Sequence, residues 1–166
     1  MMRKSIGLCA LAIAGVALSG GEEAHAVGIT SPGVACHGND PTFETLITRQ
    51  FGGTSYIDSV GRGHVVCPMT VDHTIGATAD FDVHLVDNNN NAADSGFLCI
   101  GTVLDAEGDI IATSPQMTTG AAFVGFATRT ASVAAVAAAT NSYFVQCFIP
   151  ALDFGQPSSV KALRVD

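Results

Sequence analysis

Apolar residues along this chain come in short runs broken by clusters of Gly, Asn, Asp and Pro, a rhythm that predicts strands and turns rather than long helices. The clearest alternation lies at 81–86, where Phe81, Val83 and Leu85 fall on one face and Asp82 and His84 on the other, as in a half-buried strand. Residues 97–104 are apolar on both faces, with Cys99 in step with Phe97 and Val103, which predicts a central strand. Ala106, Glu107 and Gly108 then form a turn into 109–113, so these two segments are expected to make a hairpin. Further strands are expected at 43–49, 54–58, 64–69, 121–127, 142–149 and 160–165, with Pro68 ending or bending the third of them. In 142–149, Tyr143, Val145, Cys147 and Ile149 share a face before Pro150 stops the run.

Between the strands, 87–96 is a polar loop holding four consecutive asparagines. The alanine-rich stretch 130–140 offers only Val133 and Val136 as an apolar stripe, so a loop with one helical turn is expected there. Many short strands separated by turn chemistry predict an all-β fold, an antiparallel two-sheet β-sandwich of jelly-roll type. A closed barrel is the alternative.

The amino-terminal run departs from this rhythm. Arg3 and Lys4 precede an apolar stretch at 6–18, too short to span a bilayer, and Ala24-His25-Ala26 suits the cleavage pocket of a signal peptidase. Residues 1–26 are therefore expected to be a signal peptide, cleaved after Ala26, leaving 27–166 as one domain without a membrane anchor. Arg3, Lys4, Glu22 and Glu23 leave with the leader, so the formal net charge stays at -8. The few remaining basic residues are scattered, which argues against a nucleic-acid partner. The expected product is a soluble monomer, secreted or periplasmic.

Beyond the leader remain Cys36, Cys67, Cys99 and Cys147, an even number in a chain bound for an oxidising compartment, and two disulfides are expected. Three pairings are possible. The preferred one joins Cys36 with Cys67 and Cys99 with Cys147, because the latter two lie mid-strand on apolar faces while Cys36 opens the domain. Without a CxxC pair, neither a zinc site nor a redox centre is expected.

The opening Cys36, Tyr56 ahead of a glycine turn, Val65-Val66-Cys67-Pro68, Leu98-Cys99, Phe144-Val145-Gln146-Cys147-Phe148-Ile149-Pro150 and the closing Val165-Asp166 together resemble a family of small secreted proteins of myxobacteria and related bacteria, with four cysteines and CP and CxxP strand motifs. The resemblance implies export and an all-β fold, and it carries over no catalytic residue.

The chemistry-bearing candidates are few. Asp80, Asp82 and His84 alternate on one strand face, where carboxylate and imidazole have the right character to hold a divalent metal, but nothing nearby completes a ligand set and an ordinary solvated outer face is the expected reading. Asp87, Asn89, Asn91 and Asp94 offer oxygen ligands in a loop whose opening spacing is like that of a calcium loop. Ala92 and Leu98 stand where that pattern requires Gly and Glu. Cys36-His37 has the composition of a thiol-imidazole pair, but an exported cysteine is expected to be oxidised. His64 and His73 belong to no ligand pattern, and no GxSxG, HExxH or GxxxxGK[ST] motif is present. For sugar stacking, the chain lacks Trp, has only Tyr56 and Tyr143, and places most of its nine Phe in strands that need a core. The residues thus predict an exported, non-enzymatic structural or interaction module with no cofactor and no catalytic residue. The alternatives are a secreted carbohydrate- or calcium-binding domain, with the 87–94 loop as contact region, and an unrecognised hydrolase.

Overall fold

The computed structural model describes residues 30–50, 53–58, 61–69, 78–91, 96–134, 140–153 and 155–166, and the expected leader, His73 and Asp94 lie outside them. In chain order the elements are β1 (Thr30–Pro32), β2 (His37–Gly38), α1 (Pro41–Thr45), β3 (Ile47–Gln50), β4 (Gly53–Tyr56), β5 (Gly63–Met69), β6 (Thr78–Asp87), β7 (Leu98–Leu104), β8 (Ile110–Thr113), β9 (Met117–Thr118), β10 (Gly125–Ala134), β11 (Ser142–Ile149) and β12 (Ser159–Val165). A single 3-10 turn, Gly33–Ala35, separates β1 from β2.

Two antiparallel sheets form. The first has the order β10-β6-β12-β4-β3, with β1 also on β12; the second has the order β2-β5-β11-β7-β8, with β9 also on β7. Apart from the β3–β4 pair and the run β7, β8 and β9, in which both short strands pair with β7, each successive strand lies in the opposite sheet, which is the jelly-roll path. The inward residues of both sheets make one core. Phe81, Val83, Leu85, Val160, Leu163 and Val165 from the first sheet meet Val65, Val103, Val145 and Ile149 from the second, with Phe97 at one end. Packing is close enough that the Phe81 ring occupies the space over Gly101, where an added Cβ would lie 2.4 Å from Phe81 Cγ.

Both disulfides pair as preferred, Cys36 with Cys67 and Cys99 with Cys147. They do not tie one sheet to the other. Cys99 and Cys147 face each other across β7 and β11, and Cys36 precedes β2, whose His37 is opposite Val66 of β5. Each therefore staples neighbouring chain segments of the second sheet.

Three expectations are corrected. Residues 43–49 are not one strand: the Asp40 carboxylate accepts the Thr42 and Phe43 amides at 2.8 and 3.1 Å and Pro41 presets the first turn, so α1 forms before β3 begins. β5 ends at Met69, one residue after Pro68 and at the expected bound; β2 pairs only with Val65 and Val66, so Pro68 sits where β5 has β11 alone beside it. The strand expected at 121–127 starts at Gly125, after a turn at Ala121 and Ala122. It then continues through 130–134, where a loop was expected. Ala127, Ala131 and Val133 point inward and Thr128, Thr130 and Ser132 outward, a period of two that pairs residue for residue with β6.

Candidate functional site

The outer face of the first sheet carries a groove of about 300 Å³. Its floor follows from the register. Val86 of β6 lies opposite Ser159 of β12, Ser159 opposite Ser55 of β4, and Ser55 opposite Thr48 of β3. In the other direction Val86 lies opposite Phe126 of β10, so one row, Phe126-Val86-Ser159-Ser55-Thr48, crosses five strands. At ~4.8 Å per strand the row is about 19 Å long. Asn88, Gln156 and Pro157 form the rim where the strands end, and Lys161 lines the opposite side.

Three features make this groove more than a polar sheet surface. First, Ser55 and Ser159 are only 6% and 3% exposed, yet among the described residues neither hydroxyl has a protein partner; the remaining surface of both opens into the groove. Sheltered hydroxyls without partners are costly unless a ligand or water satisfies them. Second, Phe126 is 64% exposed, with its ring stacked at 6.2 Å on His84. Third, the rim is held in place: Asn88 donates through Nδ2 to the Pro157 carbonyl at 2.9 Å and through its amide to Ser158 Oγ at 2.8 Å.

Beneath the rim lies a buried carboxylate. Asp87, the last inward residue of β6, is fully buried and accepts Thr119 Oγ1 at 2.6 Å, Ser158 Oγ at 3.0 Å and the Asn89 amide at 3.0 Å. Thr119 Oγ1 accepts the Phe97 amide in turn. Gly96, with φ at 69°, closes over this cluster, where a side chain would come within 2.3 Å of Thr119 Oγ1. Asp87 thus ties together the chain before β7, after β9 and before β12.

Of the sequence-predicted residues, Asp80, Asp82 and His84 do share the outer face of β6. Asp82 accepts Thr130 Oγ1 at 2.6 Å and faces Arg164, while His84 Nδ1 lies 3.0 Å from Thr128 Oγ1. In the asparagine loop, Asn89 is 3% exposed and Asn89 Oδ1 accepts the Asn91 amide at 2.7 Å, so Asp87, Asn89 and Asn91 build successive turns. Three donors already satisfy the Asp87 charge. Among the described residues, no three His, Cys, Asp or Glu side chains are placed to hold a metal ion. Cys36 is in a disulfide and is no nucleophile. The His64 ring stacks on Phe148 at 4.4 Å with Nε2 buried and unpartnered, and burial pushes its pKa down against a smaller upward pull from Asp40. Tyr56 and Tyr143 are core residues, each with its pKa raised chiefly by burial.

Sequence reasoning missed Phe126, Ser55, Ser159 and Lys161. One signal was present: strict alternation back from Val165 and Leu163 puts Lys161 on the inward face, where a lysine does not belong. The structure resolves this with a β-bulge between Val160 and Ala162, which makes Lys161 the extra residue and sends it outward.

No protein-family model and no curated protein matches the chain. Solved structures give distant likenesses. An arabinose-bound α-L-arabinofuranosidase matches at a TM-score of 0.44 and 12% identity over 68% of this chain, which spans only 19% of that enzyme. The CBM36-1 domain of a multidomain xylanase from the hindgut metagenome of Trinervitermes trinervoides matches at 0.43 and 12% identity, over 84% of this chain and 96% of that one. A CBM36 carbohydrate-binding module in complex with calcium and xylotriose matches at 0.39 and 11% identity, over 83% and 99%. At these values the likenesses carry no functional argument, and the reading below rests on the groove.

Proposed function

We propose that this chain is an exported, non-catalytic carbohydrate-binding domain whose ligand lies along the groove on the outer face of the first sheet. The observation that carries the reading is the row Phe126-Val86-Ser159-Ser55-Thr48: an exposed aromatic ring at one end, then an apolar floor position, then three hydroxyls. A sugar chain presents the complement, since pyranose C–H faces pack on an aromatic ring and ring hydroxyls pair with serine, threonine and amide groups. Asn88 Oδ1 and the Gln156 amide add an acceptor and further polar atoms at the rim. The groove is preformed because a buried carboxylate fixes the rim loops and five paired strands fix the floor, so little ordering entropy opposes binding. Two disulfides agree with export into an oxidising compartment.

The test is electrophoresis of the protein through gels containing xylan, mannan, galactan, pectin or soluble cellulose derivatives. Retardation by at least one of them is expected. Phe126→Ala and the double variant Ser55→Ala/Ser159→Ala should each weaken it, by about fivefold to tenfold in Kd. The Phe126 change leaves stability within about 0.5 kcal/mol, because the ring is exposed. Free migration through every gel would overturn the reading.

A further inference from the structure

We infer that the groove selects an anionic glycan, one bearing a carboxylate or sulfate substituent, and that Lys161 is the residue that recognises the charge. This deepens the carbohydrate reading and rests on it. The chain is acidic, with 15 Asp and Glu against seven Lys and Arg, yet among the described residues no Asp or Glu lines the groove and one lysine does. Arg49 pairs with Glu44 and Arg164 with Asp166, whereas Lys161, among the described residues, pairs with no carboxylate.

The ammonium is also aimed. Lys161 is the inserted residue of the β12 bulge, so the backbone departs from its ladder at that point and the side chain emerges beside the hydroxyl row instead of into the core. Room for it comes from Gly53 of β4: a Cβ there would lie 2.9 Å from Lys161 Cδ and 3.2 Å from Nζ. The same Cβ would meet the Val160 carbonyl at 2.7 Å, so glycine at 53 accommodates both the bulge and the lysine stem it redirects. A cation held there shares the groove with two sheltered, unpartnered hydroxyls and, among the described residues, with no competing anion. A sugar carboxylate or sulfate ester, bound with its ring hydroxyls on Ser55 and Ser159 and its charge on Nζ, satisfies all three with a charge-assisted hydrogen bond.

The experiment is isothermal titration of the protein with paired probes: oligogalacturonate, oligomannuronate and a glucuronate-substituted xylan fragment, each beside its methyl ester, and a sulfated galactan oligomer beside its desulfated form. For at least one pair the anionic member should bind about tenfold or more tightly, with the preference shrinking as salt is raised. Lys161→Met should bring the two members of that pair to equal affinity, and Lys161→Arg should keep the preference, which separates loss of charge from loss of the bulge. A preference confined to the sulfated pair supports the inference and assigns the anion as sulfate. Equal affinity within every pair overturns the inference while leaving the carbohydrate reading in place. Absence of binding by any probe, with no retardation in any gel, overturns both.

Discussion

Asp87 has an unusual position for a carboxylate, at the inward end of a core strand with no exposed surface. A charge there is tolerated because two hydroxyls and an amide point at it, and these donors come from segments far apart in the chain. Asp87→Asn keeps the shape and lets the hydroxyls reorient, so a loss of about 1 kcal/mol is expected. Asp87→Ala strands Thr119 and Ser158 and opens a gap, for about 3 kcal/mol. Urea midpoints give both values, and an alanine variant no worse than the asparagine one would show that the carboxylate organises nothing. His64 makes a second residue-scale prediction. Burial lowers its folded pKa, so the folded state favours neutral imidazole and the unfolded chain binds more protons below about 6.5. Stability is therefore full above that pH and falls as the pH drops from there toward the folded value. His64→Phe, which preserves stacking on Phe148, should flatten the dependence of Tm on pH between 7 and 5, and an unchanged slope would remove His64 as its source.

Elements were legible where one face alone decided the outcome. The alternations at β6 and β11 show plainly in the sequence because Phe81, Val83 and Leu85, or Tyr143, Val145, Cys147 and Ile149, all face one core. β10 was harder. Its inward-parity positions are Ala127, Arg129, Ala131 and Val133, a charged residue among small ones, so alanine content outweighed their period, and Phe126 is outward by parity although phenylalanine alone predicts core. The groove was hidden for a related reason: Ser55, Ser159 and Thr48 are ordinary strand residues until the order β12-β4-β3 places them side by side, and no local pattern contains that order. α1 did carry a local signal, Asp40-Pro41, but the apolar residues after it matched a strand equally well. The fit of the two sheets makes a further prediction. Gly101 of β7 receives the ring of Phe81, so Gly101→Ala should cost about 1–3 kcal/mol through overpacking. Phe81→Leu in the same chain should recover part of that cost by vacating the space, whereas purely additive losses would show that the two side chains do not compete.

At the scale of the whole molecule the two sheets divide the work. The second sheet holds both disulfides, with bridged residues 31 and 48 positions apart, while the first bears the groove and is secured by strand pairing and by its inward packing. A covalent bridge acts mainly by restricting the unfolded chain, and the restriction grows slowly with the length bridged. Replacing either pair, Cys36→Ala/Cys67→Ala or Cys99→Ala/Cys147→Ala, should therefore lower stability by about 2–4 kcal/mol, somewhat more for the second pair. Neither bridge contributes an atom to the groove, so the glycan binding proposed for it, measured below the unfolding transition, should match that of the parent protein for both variants. Loss of affinity in a variant that is still folded by circular dichroism would mean that the second sheet sets the shape of the first across the core, and that the groove is a property of the assembled sandwich instead of its outer face alone.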